Sequence, residues 1–149
     1  MRIKKGTLIL VVDGAKLLLF RNDGDTRKPA LATLILEEAD NPPSREQGTD
    51  SPGRTHSRMG NRRSAYQETD WHAQAEDRFA RHAGQVLEQA AADEGKAGII
   101  VIAAPRTLGV LRKHYGRQTG DRLLGEISKE LARHETDDIV AVISAHAEG

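Results

Sequence analysis

"TLILVVDGAKLLLFRN", Thr7 to Asn22, decides the fold. Two apolar runs rich in β-formers flank Asp13-Gly14. Asp-Gly supplies the positive φ angles of a tight type I′ turn, so the stretch reads as a β-hairpin. Both runs are almost continuously apolar, which predicts central strands covered on both faces. Working outward, "NDGDTRKP" (Asn22 to Pro29) is dense in turn formers. The run "ALATLILEEA", Ala30 to Ala39, then adds a third strand, giving an antiparallel meander.

Beyond the meander the composition changes. Residues 40–70 hold three of the five prolines, several glycines and almost no large apolar side chain. Such a segment buries too little to offset its ordering entropy, and it reads as a long flexible basic loop within a single domain spanning 1–149. From Trp71 to Ala92 the apolar residues return at helical spacing: Trp71, Ala75, Phe79, Ala83, Val86, Leu87 and Ala90 form one stripe. Thr69 is a plausible N-cap for this helix. Ser64 to Gln67 also has capping-box spacing, which would start the helix inside the basic segment. Asp77 and Arg81 stand at i, i+4 and are expected to pair.

"GIIVIAAP", Gly98 to Pro105, reads as a short buried strand. "RTLGVLRKHY" continues as a helix capped by Thr107. The stretch 122–129 fits either a strand or a helix, and the strand is preferred. A last helix starts at Thr136, with Asp137 and Asp138 well placed in its first turn. The order β-β-β-α-β-α-β-α is that of the ribonuclease H-like folds: an α/β architecture with a mixed five-stranded sheet and helices on both faces.

The totals exclude several function classes. The chain has 149 residues, 22 basic and 22 acidic, for a formal net charge of zero. Its bulk field therefore attracts neither nucleic acid nor an anionic membrane, and electrostatic recognition has to be local. There is no cysteine, hence no disulfide or thiolate metal site. The start, "MRIKKGTLILVV", looks briefly like a signal peptide, but its apolar run stops at Asp13 with no small-residue cleavage site. No run approaches the roughly 20 apolar residues of a membrane span. A cytoplasmic protein with no membrane partner and no cofactor is the expectation.

Two-metal nuclease chemistry needs several converging carboxylates. Only Asp13 lies near the first strand, and the fourth ends in Ala103-Ala104-Pro105, so this chemistry is rejected. The six histidines lack ligand spacing, and no metal site is expected. His56-Ser57 with Asp70, or Ser64, could be assembled into a hydrolase only by groups that nothing in the sequence orients. "APRTLG" places Arg106 where a buried strand feeds a helix N-terminus, a generic anion site.

The strongest candidate surface is "SPGRTHSRMGNRRSAYQ", Ser51 to Gln67, which holds four arginines, one histidine and no acid. Arg54, His56, Arg58, Arg62 and Arg63 sit among small polar residues that let a phosphate backbone approach closely. The competing reading is a solvated loop whose arginines pair with Asp40, Glu46, Asp50 and Asp70.

"NPPSREQGTDSPGRTHS", "RRSAYQETDWHAQAEDRFA" and "APRTLGVLRK" resemble the host attachment protein family of bacteria, over nearly the whole chain. That family is similar, more distantly, to the middle domain of archaeal and eukaryotic peptide-chain release factors. In those factors a Gly-Gly-Gln loop followed by Ser-Ala promotes hydrolysis of peptidyl-tRNA. The resemblance carries Gly60, Ser64 and Ala65 over from Gly60-Asn61-Arg62-Arg63-Ser64-Ala65. It does not carry the glutamine, because Arg63 stands in its place and a cation cannot reproduce a neutral amide that holds a water. The resemblance thus implies binding of ribosome or tRNA through Arg54, His56, Arg58, Gly60, Asn61, Arg62, Arg63 and Ser64, without catalysis. The alternatives are a regulatory module with an acidic protein partner, acting indirectly on host attachment, and an aminoacyl or peptidyl ester hydrolase.

Overall fold

The computed structural model describes residues 1–39 and 58–146, with backbone alone for 58–72. Strands β1 (Leu8–Val12), β2 (Lys16–Asn22) and β3 (Leu31–Glu38) form the meander. Helix α1 (Arg58–Asp93) leads to β4 (Ile99–Ala103), and α2 (Pro105–Arg112) and the short α3 (Arg117–Arg122) lead to β5 (Leu123–Ser128). Helix α4 (Thr136–Ala145) follows β5.

The five strands lie in the order β3-β2-β1-β4-β5. β1 pairs antiparallel with β2, in register from Leu8↔Arg21 to Val12↔Leu17. It pairs parallel with β4, from Leu8↔Ile99 to Val12↔Ala103, and β4 pairs parallel with β5. The expected mixed sheet is therefore present, with β1 and β4 at its centre and every residue of both buried.

Alternation along the strands splits the core in two. Leu8, Leu10, Val12, Leu17, Leu19, Ile99 and Val101 face Ala80, Ala83, Leu87, Ala90 and Ala91 of α1 and Leu108 and Leu111 of α2. Ile9, Val11, Leu18, Phe20, Ile100 and Ile102 face Ile139 and Ile143 of α4. Alanine dominates the buried stripe of α1, which lets its backbone lie close to the sheet.

Several local expectations are corrected. The β1–β2 turn is not type I′, since no residue but Gly6 and Gly95 has positive φ among those described. The Asp13 carboxylate closes the turn instead, accepting from the N–H groups of Ala15 (2.8 Å) and Lys16 (2.6 Å). This side chain replaces the backbone acceptor that a primed turn would supply. Thr107 does not cap α2. The N-cap is Ala104, without a side-chain bond, and Pro105 opens the helix with a φ suited to that position. Asp77 pairs with Arg106 rather than Arg81. The contested 122–129 segment contains strand β5, preceded by the six-residue α3, which is too short and too polar to show an apolar stripe.

The largest difference concerns the long loop. Helix α1 begins at Arg58, so neither Thr69 nor Ser64 caps it, and 58–70 is helical rather than loop. Between Arg58 and Trp71 only Gly60 disfavours a helix, while Met59, Arg62, Arg63, Ala65, Gln67 and Glu68 favour one. Once the packed half of α1 supplies the nucleus, each added residue costs little, and helix propagates beyond the apolar stripe. Residues 40–57 lie outside the described part of the chain.

Candidate nucleic-acid interface

α1 has 36 residues, about 54 Å at 1.5 Å per residue. Its C-terminal half is held on the sheet by the buried alanines and Leu87. Its position along the sheet is fixed at both ends. At the start of β1, Arg21 pairs with Glu94 at 3.3 Å. At the far end of β1, Glu76 lies against the turn, where a Cβ on Gly14 would come within 2.6 Å of its carboxylate oxygen. Asp77 reaches Arg106 at the mouth of α2, at 3.4 Å. Residues 58–75 carry the helix axis about 27 Å beyond that level.

Arg58, Gly60, Asn61, Arg62, Arg63 and Ser64 thus occupy the first two turns of α1. Arg58 and Arg62 are four residues apart, one above the other on the helix, and Arg63 lies about 100° further round. The first turn contains no acid. Cations at a helix N-terminus oppose the macrodipole, so helix stability does not explain their placement here. The helix dipole and the arginine charges act in the same sense, toward an anion. Arg54 and His56 lie outside the described residues.

Arg106, the remaining sequence candidate, is the second residue of α2 and is exposed. Its guanidinium lies 3.4 Å from the Asp77 carboxylate, and both side chains are largely exposed. The fold brings it to the same end of the sheet as the projecting part of α1.

Two polar clusters that sequence reading missed hold α1 and α2 in place. Glu88 of α1 accepts from the N–H groups of Gln118 (3.0 Å) and Thr119 (2.9 Å) and from the Thr119 hydroxyl (3.0 Å). Burial alone would raise this carboxyl, but the three bonds hold it below the ordinary carboxylate value. Gly116 makes room for it, because a Cβ there would strike the carboxylate. Glu126 of β5 takes a 2.6 Å bond from the Tyr115 hydroxyl and a 2.9 Å bond from Arg112 Nε. Burial and the adjacent Glu126 carboxylate push the Tyr115 hydroxyl far above its usual range. No spacing rule links 88 with 119 or 115 with 126, and only the topology unites them.

Among the described residues no group of three His, Asp or Glu side chains could hold a metal ion, and no helix is long and apolar enough to cross a membrane. The sequence profile of bacterial archaeo-eukaryotic release factor family 12 matches residues 6–143, from before β1 into α4. The chain belongs to this family. Family 12 membership agrees with the release-factor-like reading of the chain. Among curated proteins none matches the chain.

Proposed function

We propose that this family 12 protein is a release-factor-like module of the translation machinery that grips ribosomal or transfer RNA through Arg58, Arg62 and Arg63, without hydrolysing an ester itself. One observation carries the proposal: the arginines occupy the N-terminal turns of a helix whose C-terminal half is packed on the sheet and whose first half extends past it. Membership of a release-factor family supports translation as the setting. Arg54 and His56 belong to the same basic stretch of sequence and extend the proposed contact. Arg63 in place of a glutamine supports binding without catalysis.

Such a module acts inside the cell, and any effect on attachment to host cells is an indirect consequence of that action. Detection of the native protein on the outer cell surface would contradict this part. The test of RNA contact is co-sedimentation with ribosomes. The double change Arg62→Ala and Arg63→Ala should weaken it severalfold and flatten its salt dependence. Recovery of one protein partner, insensitive to ribonuclease, would replace the proposal with the protein-interaction reading. Turnover of a peptidyl or aminoacyl ester that is lost on Ser64→Ala would replace it with the hydrolase reading.

A further inference from the structure

At the opposite end of α1, beneath the start of the parallel strands, a cavity of about 640 Å³ is rimmed by Arg2, Lys4, Lys5 and Lys96. All four are exposed. None forms an ion pair with an acid among the described residues. Lys5 lies near Asp23, whose carboxylate is bonded to Arg21 at 2.6 Å. The one acid on the rim, Asp121, stands 4.0 Å from Arg117.

The segments carrying these cations are pinned. Asn22, fully buried, donates its side-chain amide to the carbonyls of Ile3 (2.9 Å) and Lys4 (3.2 Å). Its oxygen accepts from Gly24 (3.0 Å) and Ala30 (2.8 Å). A buried amide with its bonding capacity used in this way fixes the N-terminal segment. Across the cavity, Arg122 donates to the carbonyls of Ala91 and Gly95, locking the α1–β4 turn that bears Lys96. A neutral protein therefore gathers four exposed cations, none within ion-pair distance of a described acid, on two hydrogen-bonded segments around a concave surface.

We propose that this basin is a second phosphate-binding surface, which takes the backbone of the same RNA that the arginines of α1 engage. The inference rests on the RNA-contacting reading of α1. The two cationic surfaces stand at opposite ends of one helix, about 50 Å apart by its rise. That separation is too great for one small ligand and suits a structured RNA. A concave rim admits a phosphate strand, whereas a flat membrane would meet only its edge.

The test is ¹⁵N-resolved NMR of the whole chain with an RNA hairpin of about 50 nucleotides, long enough to span both surfaces, alongside binding measured across salt concentrations. Amide shifts at Gly6, Thr7, Ala97 and Gly98, as well as at 58–67, are expected. The triple change Lys4→Ala, Lys5→Ala and Lys96→Ala should keep the melting temperature and lower the salt slope by about 2, at roughly 0.7–0.9 per phosphate contact. Shifts confined to 58–67 with an unchanged slope would overturn the basin and leave the arginine reading standing. Shifts confined to the basin would overturn the arginine reading, and with it the sharing of one RNA that rests on it. No shifts would overturn both. Lysine-dependent binding to phosphatidylserine vesicles, without RNA binding, would assign the basin to a membrane and overturn the proposal.

Discussion

Replacing Glu88 with alanine removes the joint between α1 and α3. Three hydrogen bonds vanish, all from groups at the start of α3. Thr119 is fully buried, so its N–H and hydroxyl have no water to turn to. Loss of a helix cap costs about 1 kcal/mol. Leaving a buried donor unsatisfied costs about 1–3 kcal/mol more. The sum, about 3 kcal/mol, lowers the melting temperature by roughly 6–12 °C for a domain of this size. Glu88→Gln keeps one acceptor and should lose about half as much. The assay is thermal unfolding followed by circular dichroism at neutral pH.

The same pair tests the charge. Glu88 titrates lower in the folded protein than its unfolded value of 4.5. Its contribution is therefore complete above that value and lost as pH falls through the folded one. Wild type should lose stability on acidification more steeply than Glu88→Gln. A melting temperature for Glu88→Ala within about 2 °C of wild type would refute the reasoning, since it would mean the buried donors find other partners.

Other substitutions read other parts of the fold. Gly109 lies inside α2 with open space where a Cβ would go, so Gly109→Ala should stabilise by about 0.5–1 kcal/mol in urea unfolding. Gly24→Ala should instead destabilise by about 1–3 kcal/mol in the same assay, because the new Cβ would strike the backbone at Lys28 and Ala30. Tyr115→Phe leaves Glu126 one donor short and should cost about 1–2 kcal/mol at neutral pH. The Tyr115 hydroxyl is raised above its ordinary value of 10.0, so its contribution is present below that pH and fades as pH rises toward the folded value. Wild type should lose stability above pH 10 more steeply than Tyr115→Phe, as read by alkaline melting curves.

What the sequence made legible follows from how local each signal is. Val, Ile and Leu runs around Asp13-Gly14 specify paired strands whatever the turn type, so the meander and sheet order were readable. The turn itself was misread because composition cannot tell a glycine that supplies φ from a carboxylate that accepts two N–H groups. The stripe from Ala75 to Ala90 located the packed half of α1. Its extension to Arg58 left no apolar trace, since those turns rely on propensity and cooperativity. Arg106 was visible as a charge at a helix start, but its contact with Asp77, 29 residues away, was not. The charges in "MRIKKG" were in plain view, yet their significance depends on Lys96, which only the parallel pairing of β1 with β4 brings alongside.

The central claim, that the N-terminal turns of α1 touch RNA, is tested most directly by site-directed cross-linking in cells. A photoreactive benzophenone residue placed at Arg62 is compared with one at Leu36, an exposed position on the edge strand β3. Adducts to ribosomal or transfer RNA from position 62, absent from position 36, are the predicted result. Adducts from position 62 that consist only of protein, or equal RNA adducts from both positions, would contradict it.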